Sequence, residues 1–291
     1  MRLLVLGGNG MLGHKLVEIL SASFEVHTTI RKTIPEYVKL PTPSGSILEG
    51  LDVLDNHRLA VVIKTINPDV IVNAVGIIKQ RHASMRDFIM VNSLFPLRLK
   101  RLCLERRLVH ISTDCVFSGR RGNYTELDNP DPMDIYGISK WAGEACANKS
   151  LVLRTSIIGW QVQDFNGLLS WFMKSRGSVK GYTRAIFSGL TSSVLSSLIA
   201  NVITNHHGMT GVYHVAGLPI SKYDLLCGLR DALGLATVIE PDGSFVCDRS
   251  LCGDKFFGAT HWIAPAWVDM LDGLAREWAG YSELYERKKT P

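Results

Sequence analysis

The stretch RLLVLGGNGMLG, residues 2–13, decides the fold. It begins as a short apolar run rich in strand formers, turns at Gly7, Gly10 and Gly13, and continues as a helical pattern through Leu20. A strand, a glycine turn and a helix in this order are the setting of a dinucleotide site, although the glycine spacing differs from the usual G-x-G-x-x-G. The glycines let the backbone approach a pyrophosphate, and the helix N-terminus supplies N–H groups. The alternative is a tight strand-to-helix turn that binds nothing.

The same alternation continues along the chain. Further strands are predicted at residues 24–29, 45–53, 70–74, 108–112 and 151–154, and helices at residues 55–66, 84–104 and 136–147. Alternating strands and helices imply parallel pairing with right-handed crossovers, and ligands then bind beyond the carboxyl ends of the strands. We therefore predict an α/β fold with a Rossmann-type, doubly wound parallel sheet, in which residues 1–160 form an NAD(P)-binding domain.

Beyond residue 160 the alternation weakens. Helices are predicted at residues 167–175, 192–204, 223–233 and 266–279, and short strands at residues 212–215 and 237–240. We interpret residues 161–291 as a mainly substrate-binding, smaller C-terminal α/β lobe, from which some segments return to the core. A polar loop at residues 119–132 is expected to lie over the cleft between the two parts.

An acid–base motif follows the fifth predicted strand. Tyr136 and Lys140 are four residues apart, so on a helix they share one face, and a cation beside a phenol lowers the pKa of the phenol. Thr113 ends the preceding strand, where its hydroxyl could hold a substrate oxygen. This arrangement suits the reduction of a ketone or the oxidation of an alcohol, provided that a hydride carrier lies next to it. The spacing itself is common, since Tyr285 and Lys289 repeat it in what we expect to be a solvated helical tail.

The composition is that of an ordinary globular protein, with 46% hydrophobic and 20% charged residues. No apolar stretch approaches the roughly 20 residues that span a bilayer. The six cysteines form no C-x-x-C pair, so we expect reduced packing cysteines and no metal site. The net charge of +5 is modest and scattered, so we expect no nucleic-acid partner and no membrane partner. These features favour a cytoplasmic enzyme.

Together, these motifs resemble the short-chain dehydrogenase/reductase superfamily. Finer matches resemble its extended branch and, within that branch, the dTDP-4-dehydrorhamnose reductase family. The matching segments are PDVIVNA at residues 68–74, STDCVFSG at 112–119, YGISKWAGE at 136–144, LRTS at 153–156, GVYHV at 211–215 and DRSL at 248–251. The resemblance covers essentially the whole chain.

The resemblance implies an NADPH-dependent reduction of the 4-keto group of a nucleotide-linked 6-deoxysugar, in the biosynthesis of a cell-surface polysaccharide or a deoxysugar. Three catalytic residues carry over. Thr113 would bind the keto oxygen, Tyr136 would donate the proton, and Lys140 would lower the pKa of Tyr136 and hold the nicotinamide ribose.

The cofactor site is expected to favour NADP(H), with NAD(H) possible. The second strand runs into Arg31 and Lys32 with no carboxylate, and basic residues there suit the 2′-phosphate of NADP, although an exposed basic turn is the alternative. The resemblance adds an adenine contact at Asp52 and Val53 and an ordering amide at Asn92. The cofactor-binding set is Gly7, Asn9, Gly10, Met11, Leu12, Gly13, Arg31, Lys32, Asp52, Val53, Asn73, Ala74, Val75, Gly76, Asn92, Tyr136, Lys140 and Thr155.

The substrate end departs from the family pattern. Cys115 stands where the family usually has tyrosine, and Lys79 and Arg81 stand in a segment that is usually acidic. A basic pair there could bind a diphosphate or a carboxylate, and Arg184 is a further candidate; all three could equally be surface residues. The predicted substrate-binding set is Lys79, Arg81, Thr113, Asp114, Cys115 and Arg184.

Two other functions remain open at this point. One is an epimerase or dehydratase with bound NAD, which basic Arg31 and the absence of a glutamate after Asp114 disfavour. The other is a non-catalytic regulatory subunit of the same fold, which the intact Tyr136 and Lys140 disfavour. The substrate partner is expected to be a nucleotide sugar, and a homodimer is possible.

Overall fold

The computed structural model describes residues 1–33, 43–103 and 106–287. The strands, in chain order, are β1 (Arg2–Leu6), β2 (Glu25–Thr29), β3 (Ile47–Leu48), β4 (Val70–Asn73), β5 (Arg107–Ile111), β6 (Leu151–Arg154), β7 (Ile157–Ile158), β8 (Ser178–Tyr182), β9 (Ala185–Phe187), β10 (Leu190–Thr191), β11 (Gly211–His214), β12 (Ile220–Ser221), β13 (Val238–Asp242) and β14 (Cys247–Asp248).

The helices surround these strands. They are α1 (Met11–Leu20), α2 (Asn56–Ile66), α3 (Met85–Phe88), α4 (Phe95–Cys103), α5 (Ile135–Gly143), α6 (Leu168–Lys174), α7 (Ser192–Asn205), α8 (Lys222–Ala232), α9 (Asp254–Thr260) and α10 (Trp267–Arg287). A π-helical segment, Ile89–Leu94, joins α3 to α4, and 3-10 turns lie at Asp114–Val116 and Glu144–Ala147.

The main sheet has seven parallel strands in the order β11-β6-β5-β4-β1-β2-β3. Side chains of a strand alternate between its two faces. In β1, Leu3 and Val5 therefore enter the hydrophobic cluster that contains α1, whereas Leu4 and Leu6 enter the cluster that contains α2. Both faces of the sheet are covered, which confirms the predicted doubly wound α/β fold.

One strand of the main sheet comes from far along the chain. β11 pairs in parallel with β6, from Gly211 opposite Leu151 to His214 opposite Arg154. Residues 212–215 belong to the predicted second lobe, from which some segments were expected to return to the core. β11 comes from this lobe and lies in the main sheet. The division of the chain at residue 160 stays a prediction.

The remaining strands form small sheets beside the carboxyl ends of the main strands. They pair in the orders β12-β9-β14, β13-β8 and β10-β7. The loop at residues 119–132 packs on this region: Tyr124 forms a bridge to Leu251, and a Cβ on Gly119 would lie 2.5 Å from the Cys247 sulfur. The backbone of this loop pairs with the segment that follows β14, and the expectation that the loop lies over the cleft stays a prediction.

Two helical predictions also need correction. The helix expected at residues 84–104 is interrupted by the π-helical segment, and residue 104 lies outside the described residues. Tyr285 belongs to a helix, but it is only 3% exposed and its hydroxyl lies 2.7 Å from Ser170 Oγ. The prediction of a solvated tail is therefore wrong for Tyr285, which packs in the core, while Lys289 lies outside the described residues.

Candidate active site

Two connected cavities lie at the carboxyl ends of the main strands. The cofactor cavity, about 180 Å³, is lined by Gly7, Asn9, Gly10, Thr29, Arg31, Lys32, Asp52, Val53, Ala74, Val75, Gly76, Ile77, Arg81, Val91, Gln163 and Asp164. The reaction cavity, about 360 Å³, shares several of these residues and adds residues from β5, α5, β6 and the small sheets. Its size falls within the roughly 300–1,000 Å³ of small-molecule sites.

The glycine turn forms the floor of the cofactor cavity. Gly7 has a φ of +87°, which favours glycine, and a Cβ on Gly13 would lie 1.9 Å from the carbonyl oxygen of Gly7. The turn and α1 can therefore meet only because both positions lack side chains. Gly10 precedes the helix without a side-chain cap, which leaves the first helical N–H groups available to a ligand. This arrangement can cradle a phosphate.

The basic pair after β2 lines the outer part of the cofactor cavity. Arg31 and Lys32 are both exposed, and neither is held in an ion pair among the described residues. Burial, together with the charge of Arg31, lowers the pKa of Arg81, so the two guanidinium groups lie close enough to repel. Asp52 and Val53 line the same cavity, although the Asp52 carboxylate accepts a hydrogen bond from the Leu54 N–H at 2.9 Å.

The turn after β4 separates the two cavities. Ala74, Val75 and Gly76 line both of them. Asn73 lines neither, because its fully buried amide oxygen accepts from the Val75 N–H at 3.1 Å and its amide nitrogen lies 3.0 Å from His110 Nδ1. Asn73 therefore shapes the turn and does not itself face the cavities.

Asn92 has a similar supporting position in the π-helical segment. Its amide oxygen accepts from the Ile77 N–H at 2.8 Å, and its amide nitrogen donates to the Ile77 carbonyl at 2.9 Å and to Ser139 Oγ at 3.1 Å. Gly143 allows α5 to pack closely here, because a Cβ on it would lie 2.1 Å from the Asn92 carbonyl. Asn92 thus ties the loop after β4 to the helix that carries Tyr136, and it lines neither cavity.

Thr113, Tyr136 and Lys140 all line the reaction cavity. Thr113 caps the 3-10 turn after β5, where its hydroxyl accepts from the Cys115 N–H at 3.2 Å and donates to Asp114 Oδ1 at 3.2 Å. Gly137 lets α5 approach this turn, because a Cβ on it would lie 2.2 Å from the Cys115 carbonyl. The Tyr-Gly pair therefore places the phenol beside the threonine.

The pKa of Tyr136 is raised, chiefly by burial and then by Cys115, while a hydrogen bond with Thr113 opposes the shift. The predicted lowering by Lys140 is wrong for this structure, because the Lys140 ammonium donates instead to the Ile111 carbonyl at 2.6 Å. Burial lowers the pKa of Lys140 to about 8, against the opposing charge of Glu144. The phenol is therefore protonated at neutral pH, which is the form that can donate a proton.

A buried ion pair supports the strand ends behind these residues. Arg154, the last residue of β6, donates to Glu144 at 2.7 Å, and Ser112 Oγ donates to the same carboxylate at 2.5 Å. Arg154 and Glu144 are 5% and 6% exposed. Thr155 follows Arg154 and lines the reaction cavity, as do Met11 and Leu12 at the start of α1.

The predicted substrate residues divide into two groups. Lys79, Asp114 and Cys115 line the reaction cavity. Arg81 lines both cavities and forms an ion pair with Asp164. Arg184 is exposed in the turn between β8 and β9 and is not among the residues that line either cavity.

Several lining residues were not predicted. They are Ile77, Ile78, Gln80, Ile111, Ser112, Ser156, Ile157, Gln161, Gln163, Asp164, Asn166, Gly167, Leu168, Phe187 and Lys222. Most lie beyond the carboxyl ends of β4, β5, β6 and β7, whereas Phe187 and Lys222 come from elements that the pairing of β9 with β12 positions. A local signal existed for Lys222, because it directly follows Ser221, which caps α8.

Two further observations apply to the described residues. Within residues 1–33, 43–103 and 106–287, no group of three or more His, Cys, Asp or Glu side chains could hold a metal ion. Over the same residues, no helix is long and apolar enough to cross a bilayer.

Comparisons with known proteins agree with this geometry. Residues 1–241 match the RmlD substrate binding domain family. A dTDP-4-dehydrorhamnose reductase of Aggregatibacter actinomycetemcomitans is 27% identical over 82% of this chain and 81% of its own length. A methionine adenosyltransferase 2 subunit beta of Danio rerio is 26% identical over 63% and 62%. The structure of the Bacillus anthracis dTDP-4-dehydrorhamnose reductase in complex with NADP aligns over 95% of this chain and 99% of that one, with a TM-score of 0.78 and 23% identity.

Proposed function

The chain belongs to the RmlD substrate binding domain family, and from that premise we propose that it reduces the 4-keto group of a nucleotide-linked 6-deoxysugar with NADPH. The observation that carries this proposal is the meeting of Thr113, Tyr136 and Lys140 in a cavity that continues into the glycine turn. The protein is an oxidoreductase of deoxysugar or glycan biosynthesis.

The glycine turn and the start of α1 would hold the cofactor pyrophosphate, because their N–H groups face the cavity without side chains in the way. Arg31 and Lys32 would bind the 2′-phosphate. Bound NADPH supplies the hydride that the reaction requires. The fit is supported by Gly13, where even one added carbon would collide with the Gly7 backbone and disturb the cradle.

Thr113 and Tyr136 would bind and protonate the substrate oxygen. The Thr113 hydroxyl, which donates to Asp114 in this structure, would turn to donate to the keto oxygen next to the phenol, so that the negative charge that develops there meets two hydrogen-bond donors. Tyr136 then gives its proton to the alkoxide, a much stronger base than a phenolate. Burial keeps the phenol protonated until that step.

Lys140 has a supporting role in this proposal. Its ammonium lies at the carboxyl end of β5, held by the Ile111 carbonyl, where it would bind the nicotinamide ribose. In this proposal Lys140 therefore positions the cofactor, while Thr113 and Tyr136 act on the substrate oxygen.

The two alternatives have less support. A dehydratase of this superfamily would usually place a carboxylate after Asp114, where this chain has Cys115. The similarity to a methionine adenosyltransferase subunit favours a regulatory role, but a regulatory subunit would not need Thr113, Tyr136 and Lys140 gathered in one cavity.

We also propose a cytoplasmic location and a homodimer. All six cysteines are free thiols, which suits a reducing compartment. Ile138 and Trp141 expose 47% and 45% of their surface on the outer face of α5, and such apolar side chains suit a subunit contact. Light scattering of the purified protein would test the assembly.

The proposed reaction is tested by following NADPH and NADH oxidation with a panel of 4-keto-6-deoxy nucleotide sugars. We expect turnover with NADPH, weaker use of NADH, and a fall in kcat of about 10²- to 10⁴-fold in Tyr136→Phe. Turnover that survives in Tyr136→Phe would contradict the mechanism. Failure of every sugar in the panel would contradict the function.

A further inference from the structure

Lys222 is a cation in the reaction cavity with no role in the mechanism above. It is the first residue of α8, directly after the capping Ser221. The pairing of β12 with β9 brings it beside Phe187, with its ammonium 3.8 Å from the centre of that ring. Both side chains line the reaction cavity. The cation–π contact thus holds the ammonium at the wall of this cavity.

Its ammonium forms no hydrogen bond and no ion pair with any residue in the described part of the chain. The groups that act electrostatically on it include Asp114, Cys115 and Cys247, which raise its pKa, and Lys79, which lowers it. Burial raises the pKa of Cys115 to about 12, so that thiol is neutral. Asp114 is the one carboxylate in this group, and it already accepts the hydroxyl of Thr113. Lys222 is therefore a cation in a cleft: Asp114 attracts it through space, but it forms no ion pair with any described residue.

The position of Lys222 at the start of α8 is unfavourable for the stability of the folded protein. The N-terminus of a helix carries partial positive charge, so a lysine at the first helical residue is repelled where an acidic residue would be attracted. A partly buried ammonium without an anion adds a desolvation cost. Burial accordingly lowers the pKa of Lys222 to about 8. The same two features, a helix N-terminus and an unpaired cation, would attract an anionic ligand.

Other cations lie on the same side of the cavity. Lys79 lines it and is 3.8 Å from Asp134, a distance that leaves its ammonium only loosely paired. The Arg249 guanidinium lies 3.8 Å from the Cys115 sulfur. Cys115 is therefore surrounded by positive charge, at the position where the family usually has an uncharged tyrosine.

We propose that Lys222 binds an anionic group of the substrate. The anionic oxygen that it binds would lie on the Cys115 side of the cavity. That oxygen belongs either to the diphosphate of the nucleotide or to a carboxylate on the sugar. The inference rests on the proposed function only in assuming that the reaction cavity receives the nucleotide sugar.

The test uses probes that need no knowledge of the nucleotide. The full-length protein, with and without saturating NADP⁺, is titrated calorimetrically with inorganic pyrophosphate, with glucuronate, and with glucose as the uncharged match of glucuronate. The variant is Lys222→Met. The matched control is Lys255→Met, which removes another lysine that lies over an aromatic ring, 4.3 Å from the centre of Tyr213, but outside the cavity.

We expect at least one of the two anions to bind the NADP⁺-saturated protein, and Lys222→Met to weaken that binding by about 10- to 100-fold while Lys255→Met leaves it unchanged. Loss for pyrophosphate identifies the diphosphate as the source. Loss for glucuronate, with glucose unaffected, identifies a sugar carboxylate. Equal affinity in Lys222→Met and the wild type, or no saturable binding of either anion, overturns the proposal. None of these readings requires turnover, so failure of the ketoreductase assay is a separate result.

Discussion

The cofactor cavity and the substrate side of the reaction cavity are built in different ways. Most of the cofactor cavity is formed by turns that directly follow β1, β2 and β4, so most lining residues lie a few positions from a strong apolar strand. The substrate side depends on strands of two or three residues, such as β9 and β12, that are placed by partners far away in the chain. A sequence motif therefore locates the first cavity, whereas tertiary pairing has to locate the second.

The largest expected effect comes from breaking the buried ion pair behind the strand ends. Arg154 and Glu144 form a buried ion pair behind Thr113 and Thr155. Glu144→Ala would leave the Arg154 guanidinium buried without its carboxylate, at a cost of about 3–5 kcal/mol. We expect the Tm to fall by roughly 10 °C in calorimetry.

The control for this change is Glu283→Ala, which removes an exposed carboxylate paired with Arg287 along α10. It should alter the free energy of unfolding by no more than about 0.5 kcal/mol. If both variants lose the same stability, the buried ion pair contributes no more to stability than an exposed one.

The second-largest effect is expected from a change in the cofactor cavity alone. In Gly13→Ala, the new methyl group would lie 1.9 Å from the Gly7 carbonyl, which is backbone and cannot turn aside. The turn must shift, and we expect NADPH affinity to fall by about 100-fold in a fluorescence titration. Gly258→Ala, on α9 where a Cβ meets no atom within 4 Å, should bind NADPH as the wild type does. Tight NADPH binding by Gly13→Ala would show that the cofactor does not use this turn.

A smaller effect separates the two nicotinamide cofactors. Arg31→Ala removes a guanidinium that lines the cofactor cavity, so the KM for NADPH should rise about 10-fold while the KM for NADH stays the same. Arg101→Ala, an exposed arginine near the end of α4, is the matched loss of charge and should change neither KM. A parallel rise in both values would assign Arg31 to another part of the cofactor.

The smallest effect concerns the substrate region and pH. The folded pKa of Lys222 is about 8, below its ordinary value of 10.5, so the unfolded chain binds more protons between those two pH values. This group therefore makes the protein more stable as pH rises from 8 to 10.5, by about 1–2 kcal/mol after allowance for solvent screening. In urea unfolding, the free energy of unfolding of Lys222→Met should not show this increase between pH 8 and 10.5. That of Lys255→Met should show it. An unchanged pH profile in Lys222→Met would mean that the ammonium is well solvated.

The contrast between the cavities also explains what the sequence could predict. Local sequence patterns predict the glycine turn and the parallel sheet. They also predict which segments carry Thr113 and Tyr136, because an apolar strand shows where its own carboxyl end lies. The charge of Arg184 predicts substrate binding, yet Arg184 is exposed in the turn between β8 and β9 and is not among the residues that line either cavity. Lys222 was overlooked because only the pairing of β12 with β9 brings it to the cavity.

The pKa of Tyr136 shows a second limit of sequence reasoning. A spacing of four residues correctly puts Tyr136 and Lys140 on one helix, but it does not say where the ammonium points or how much water reaches the phenol. The Ile111 carbonyl decides the first and burial decides the second. Neither is visible in the motif.

The seventh strand of the main sheet has a consequence for biosynthesis. Until Gly211–His214 leaves the ribosome, β6 presents an open row of N–H and C=O groups at the edge of an otherwise formed sheet. The nascent chain must therefore keep that edge from pairing elsewhere while all of residues 155–210 are synthesised, and a long delay of this kind favours aggregation. Slowed translation across this interval should reduce the yield of active protein more than the same slowing before β6, and a chaperone that shields strand edges should restore it.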